Sequence, residues 1–158
     1  MFREMRRNKQ LLAENVSREI LNRNTSGVLS LMGDEGYPYG VPLSYVLAEN
    51  KIFFHCAKVG HKIDAIRNCE KASFCVIDQD KIVSEEYTTY FRSVIAFGRV
   101  HILESDEEKR NALRILAGKY SGDQGEAGIE KEMDKSFANV CMLRFDIEHM
   151  TGKLVTES

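Results

Sequence analysis

The chain has 158 residues, 43% of them hydrophobic and 29% charged, with a formal net charge of −2. That length suits one globular domain over residues 1–158 with a real apolar core, its first twelve residues expected as a flexible arm. The near-neutral balance excludes a nucleic-acid binder held by a broad basic field, and no apolar run approaches the roughly 20 residues of a membrane span.

The start is basic, but only Leu11, Leu12 and Ala13 follow before Glu14, too short an apolar stretch for a signal peptide. A cytoplasmic protein is therefore expected. Four cysteines (Cys56, Cys69, Cys75 and Cys141) fit that compartment as free thiols. They form no C-x-x-C pair, so no metal site is expected.

Val16, Ile20 and Leu21 recur at helical spacing and predict a first helix over about 12–24. Gly27 releases the chain into a strand over 28–32, and Gly33-Asp34-Glu35-Gly36 is turn chemistry. A second strand is predicted from Tyr39 to Leu47 and a third from Lys51 to Cys56. Pro38 and Pro42 lie in or beside the second strand. Proline cannot donate to a ladder, so this strand is an edge, bulged, or turned to a ligand there.

A short helix follows Gly60, then a strand over 72–77 and a long strand from Thr88 to Leu103 that Gly98 bends. Ser105 and Glu108 form a capping box opening a helix marked by Leu113, Leu116 and Tyr120. A glycine-rich loop (Gly118, Gly122, Gly125, Gly128) and a weaker helical stretch lead into alternating residues 140–149. The expected fold is mainly β with inserted helices, six antiparallel strands forming a small barrel.

The most informative stretch runs from Phe53 to Lys62: a strand, a glycine loop and a helix start. Free amides at a helix N-terminus favour an anion, and Lys58, His61 and Lys62 surround this one. Lysine there is electrostatically unfavourable without an anion, which is the physical reason to expect a phosphate; the bland reading is a solvated basic turn. No G-x-x-x-x-G-K-[ST] or G-x-G-x-x-G motif is present. His55 and Cys56 are strand neighbours that point to opposite faces, so they do not read as a base–nucleophile pair. His101 and His149 read as structural. Tyr37, Tyr39 and Tyr45 either line a ring pocket or simply pack.

Five segments occur in order: residues 36–45, Phe53-Phe54-His55-Cys56, residues 60–68, Ala72-Ser73-Phe74-Cys75-Val76, and residues 93–100. Together they resemble the pyridoxamine-phosphate-oxidase-like superfamily of FMN-binding split β-barrels, most nearly its nitroimidazole resistance (5-nitroimidazole reductase-like) branch. The resemblance covers about residues 15–150. It implies a homodimer with FMN across the interface and the phosphate on a basic pair, here His61 and Lys62, where the oxidases typically have arginine and lysine. It places the cofactor-facing pair at His55 and Cys56. The second-strand backbone facing the isoalloxazine falls on Val41, Pro42, Leu43, Ser44 and Tyr45, and a polar flavin-reaching position on Ser93.

The implied activity is an FMN-dependent oxidoreductase that reduces nitroaromatic compounds with electrons from NAD(P)H or another donor, with no catalytic acid or base assigned. The alternatives are a non-catalytic flavin- or haem-binding protein and a module holding another phosphorylated ligand. The oxidases that name the family grip flavin and substrate phosphate with a tryptophan and an arginine near the C-terminus. This chain has no tryptophan, and Lys153 is the only cation in its last eight residues. Negligible oxidation of pyridoxamine phosphate is the consequence expected.

Overall fold

A computed structural model describes residues 1–155. Helix α1 (Glu14–Arg23) buries Ile20 and Leu21 of the predicted stripe, with Val16 partly buried against the core and Ser17 buried beside them. Strands β1 (Ser26–Met32) and β2 (Pro38–Ser44) form a hairpin whose turn places Glu35 and Gly36 at positive φ. β3 (Val46–Ala48) turns into β4 (Lys51–Cys56), and α2 (His61–Asn68) follows. β5 (Lys71–Val83) and β6 (Thr88–Ile102) make a long hairpin. α3 (Asp106–Ser121) and α4 (Gly125–Ser136) precede β7 (Cys141–Val155).

The strands form one antiparallel sheet in the order β2-β1-β5-β6-β7-β4-β3. Seven strands are present where six were expected, because the predicted second strand breaks at Tyr45. That break makes the architecture. β2 and β3 are the two edges of the sheet, yet only Tyr45 separates them in the chain. Two Cα–Cα steps span less than about 8 Å, so the sheet must curl until its edges nearly meet. The ladder stays open there, and the covalent chain joins the two edges.

Tyr45 is fully buried and held on every side. Its hydroxyl donates to Leu21 O (2.5 Å), and its ring meets Phe74 edge-on at 5.0 Å. Its amide donates to the Tyr120 hydroxyl at 2.9 Å; that oxygen also lies 2.6 Å from the carbonyls of Thr25 and Tyr45. One proton serves one of these two carbonyls. A hydroxyl from α3 thus replaces the ladder bonds missing at the break.

The main core fills the curled sheet with Leu29, Phe54, Phe74, Val94, Leu143 and Phe145, closed by Ile20 and Leu21 of α1 and Ile63 and Ile66 of α2. A second core lies outside the sheet, where Leu113 and Leu116 of α3 and Met133 of α4 cover Val46, Phe53 and Met142. This packing keeps Gly118 and Gly128 helical, so the expected glycine-rich loop shrinks to the turn Gly122–Gln124. Of the expected capping box the Ser105 half is present, its hydroxyl accepting from Glu108 N at 3.4 Å, while the Glu108 carboxylate lies 3.6 Å from Arg144 Nη1. Residues 1–12, expected as a flexible arm, lie against β7. Leu11 bridges Lys153, the Leu12 amide donates to Gly152 O (2.9 Å), and the Phe2 ring stacks on His149 at 4.9 Å. Among the described residues no helix is long and apolar enough to cross a membrane.

The expected strand 72–77 continues to Val83 through a register shift between Ile77 and Gln79, which leaves Asp78 without a ladder partner on β6. The Asp78 carboxylate is buried and accepts from Arg23 Nε (2.8 Å), Arg23 Nη2 (2.5 Å) and Asn24 Nδ2 (2.7 Å), with Arg92 Nε at 3.3 Å. The Arg23 hydrogen bonds chiefly hold its pKa below the usual carboxylate value, against an opposing effect of burial. A depressed folded pKa stabilises the fold above the unfolded value of about 3.9 and is lost as pH falls through the folded one. Asp78→Asn should therefore cost about 2 kcal/mol near neutrality, in the range for hydrogen bonds to charged groups. Urea unfolding of both proteins should show the gap closing as pH falls below about 3.9. A gap unchanged at low pH would contradict this role.

Candidate functional site

The break at Tyr45 leaves a seam. β3 pairs only with Lys51–Phe53, whereas β7 pairs with β4 along its whole length to Cys56. Continuing the Val46–Phe53 register would set Ser44 opposite His55 and Leu43 opposite Cys56, but β2 and β4 part there. The far edge of β2 is likewise unpaired. Pro38 and Pro42 stand opposite Met32 and Val28, and neither can donate to β1. The even-numbered residues of β2 therefore turn their backbone groups away from β1, towards the open edge.

α2 closes one mouth of this seam. Gly60 takes φ 140°, a conformation that favours glycine, and no side chain caps the helix amides. These uncapped N–H groups and the positive end of the helix dipole are suited to an anion. His61 stacks on Tyr39 of β2 at 4.0 Å, and its Nε2 lies 3.8 Å from Asp34 Oδ2. Lys62 is half-buried, and its charge reaches both His55 and Cys56. His55 keeps access to solvent, yet partial desolvation by the protein around it lowers its pKa, and the Lys62 charge lowers it further. Burial, with Cys141 beside it, pushes the Cys56 thiol up to about 12 despite Lys62. Cys56 is therefore a protonated core-facing thiol, and no activated nucleophile is present at this position.

The structure thus brings together the end of β2, the end of β4 and the start of α2. Val41 and Leu43 turn inward against the core, while Pro42, Ser44 and His55 are exposed. Tyr45 has both amide and hydroxyl engaged, so it shapes the seam as a wedge. Ser93 is elsewhere. It pairs with Ile77 and Lys153, separated from β2 by β1 and β5 and from β4 by β7. It shares the outer sheet face with the exposed Ile77, Ile95 and Phe97.

Sequence reasoning did not identify Tyr120 as the clamp or Asp34 as the neighbour of His61. It also did not anticipate a groove of about 710 Å³ on the outer face, bounded by Phe2, Met32, Pro38, Phe97, Arg99 and Glu148. This is the roomiest cavity described, but none of the predicted site residues lines it. Its only sequence signal is the outward set of apolar positions on β1 and β6. We take the seam as the candidate site because uncapped amides and the Lys62 charge lie there beside His61, whereas volume alone specifies no chemistry.

A family model described as pyridoxamine 5′-phosphate oxidase matches residues 14–154. The chain belongs to the pyridoxamine 5′-phosphate oxidase family. That match spans both edges of the seam, α1 and the full length of the sheet. No curated protein matches. Among solved structures, a candidate 5-nitroimidazole antibiotic resistance protein from Bacteroides thetaiotaomicron aligns with TM-score 0.74 and 23% identity, over 91% of this chain and 86% of its own. A flavocytochrome from Azotobacter vinelandii aligns with TM-score 0.80 and 16% identity, over 98% and 73%. An FAD- and haem-binding protein from Mycobacterium smegmatis aligns with TM-score 0.77 and 18% identity, over 94% and 74%. At these identities the likeness is one of fold.

Proposed function

We propose that this family member is a flavin-dependent oxidoreductase that works as a homodimer, with FMN as cofactor. The observation that carries the reading is Lys62 beside the uncapped start of α2, at the mouth of a seam with an unpaired strand edge. Lys62, His61 and the helix amides would hold the phosphate; Val41, Pro42, Leu43 and Ser44 would present backbone to the ring, with His55 and Cys56 beneath. When bound, the flavin supplies the electron transfer, and the polypeptide governs orientation and access. The protonated Cys56 thiol adds no competing nucleophile. A second copy, packed on the exposed face bearing Ile77, Ile95 and Phe97, would bring its own Ser93 to the seam and bury that apolar surface. Nitroaromatic compounds of the 5-nitroimidazole type are the proposed acceptors, with NAD(P)H as donor. The name of the Bacteroides protein, a 5-nitroimidazole antibiotic resistance protein, supports the acceptor, and the names of the other two, a flavocytochrome and an FAD- and haem-binding protein, support a flavin.

The purified protein should show flavin absorption, bound or after reconstitution with FMN, and scatter light as twice the 18.0 kDa of one chain. Steady anaerobic loss of a 5-nitroimidazole with NAD(P)H would support the enzyme. A Soret band with no flavin uptake would replace FMN by haem. A monomer with flavin bound would remove the second copy from the site.

A further inference from the structure

We propose a second anion site, outside the seam, that takes a phosphate or diphosphate group: the pocket between α2 and the start of α3 bounded by Lys58, Arg67 and Lys109. This inference goes beyond the flavin reading and does not need it. The pocket measures about 190 Å³, the share of roughly six waters, enough for a phosphate or diphosphate and too little for a whole dinucleotide. Its remaining wall is apolar, from Ile63, Ile102 and Val140 among others, and no acidic side chain lines it. Three basic side chains around one pocket with a low-dielectric wall give it a positive potential that favours an anion.

The three are independently placed. Lys58 lies in the loop before α2 and is exposed, Arg67 in the last turn of α2 and is exposed, and Lys109 in the first turns of α3. Among the described residues neither Lys58 nor Arg67 enters an ion pair, whereas Arg18, Arg23, Arg92, Arg99, Arg110, Arg114 and Arg144 all do. Lys109 is fixed by donating to Phe137 O (2.6 Å) and by lying 4.3 Å from the centre of the Phe137 ring, so one wall is preorganised. Arg67 adds a planar fork that matches phosphate oxygens bidentately.

The pocket is distinct from the seam by helical geometry. Arg67 follows His61 by six residues, about 600° of helix rotation, or about 240° net, which puts them on different flanks of α2. His61 faces Tyr39 of β2, while Arg67 faces α3. Lys58 precedes the helix start and lines the pocket on the Arg67 side. A diphosphate anchored at Lys62 could run past Lys58 into this pocket, or a separate phosphorylated molecule could enter it alone.

The test is calorimetric titration of the full chain at low ionic strength with inorganic pyrophosphate, using wild type, Arg67→Ala, Lys58→Ala and His61→Ala. Arg67 and Lys58 are exposed, so neither substitution disturbs the core. The pocket should bind pyrophosphate with an affinity that falls about tenfold to hundredfold in Arg67→Ala and in Lys58→Ala, as expected for a lost charge-assisted contact. His61→Ala should leave that site within about twofold. No heat with millimolar pyrophosphate, or Arg67→Ala equal to wild type, would overturn the proposal. FAD, FMN and ADP distinguish the source. A loss in Arg67→Ala for FAD and not FMN makes the group the second phosphate of a dinucleotide flavin. A loss for ADP with both flavins unaffected makes it a separate ligand. Pyrophosphate binding that depends on Arg67, in a protein that takes up no flavin, would sink the seam reading and leave this site standing.

Discussion

Gly98→Ala should destabilise the fold by about 3 kcal/mol, the upper end of the usual cost of overpacking. A Cβ at Gly98 would lie 2.0 Å from Asp146 O, 2.9 Å from its carbonyl carbon and 3.2 Å from Phe145 Cζ. The first two are backbone atoms of β7, and that strand has nowhere to go. Its other edge is tied to β4, where Asp146 pairs with Lys51 and Phe145 with Ile52. The β6–β7 ladder already shifts register between Phe97 and Gly98, and the close approach sits at that shift. For a chain of this size the loss corresponds to a fall of roughly 6–12 °C in Tm, at about 2–4 °C per kcal/mol. Gly118→Ala provides the contrast. It lies inside α3 with nothing within 4 Å of the added methyl, so it should stabilise by up to about 1 kcal/mol through helix propensity. Scanning calorimetry of both variants checks the pair of signs. A Gly98→Ala protein that melts with wild type would mean that β7 yields at Asp146.

Lys62→Ala should weaken FMN by about tenfold to hundredfold and riboflavin much less. The lost contact is a charge-assisted hydrogen bond, which contributes about 1.5–3 kcal/mol. Riboflavin has no phosphate and so does not feel that loss. Fluorescence titration with both ligands gives the comparison directly, and equal losses for the two would remove Lys62 from phosphate binding. The same variant has a second readout. Lys62 helps to lower the His55 pKa, so removing its charge should raise that pKa towards the ordinary histidine value, though burial keeps it low. The C2 proton of His55 followed by NMR against pH would show the shift. A His55 titration unchanged in Lys62→Ala would place the ammonium group away from the end of β4.

Much of the site was legible because it rests on local chemistry. Gly60 followed by His61 and Lys62 reads as a helix start with unmatched cations, and the helix begins at His61 without a side-chain cap. Pro38 and Pro42 read as a strand that cannot be paired on both edges, and β2 is an edge. Alternation marked most of β7, since each side-chain step of two residues is fixed by the pleat; β4 is buried on both faces, with Phe53 under α3 and Phe54 in the main core.

Other features were illegible because their causes lie far away in the chain. Nothing near Tyr45 signals a break: the hydroxyl that takes its amide comes from Tyr120, and its own hydroxyl reaches back to Leu21. The strand expected over 72–77 runs on through Asp78, Gln79, Asp80 and Lys81, because β6 lies alongside and Arg23 with Asn24 satisfies Asp78. Gly118 and Gly128 read as loop, but the apolar face formed by Leu113, Leu116 and Met133 holds them in helices. That burial outweighs the cost of about 1 kcal/mol for each helical glycine.

The amino-acid sequence by itself determined the family, the mainly antiparallel sheet with inserted helices, and the basic helix start. Each of these is written in residue type and short spacing: β-branched alternation, prolines that cannot donate, lysine beside free amides. Only the tertiary structure decided where the sheet opens, that Ser93 stands on a different face from the seam, and that Lys58, Arg67 and Lys109 share one pocket. Those are distances between residues far apart in the chain. They are set by the curl that the buried Tyr45 imposes on the sheet and by the packing of α2 and α3 against it, and no local pattern encodes them.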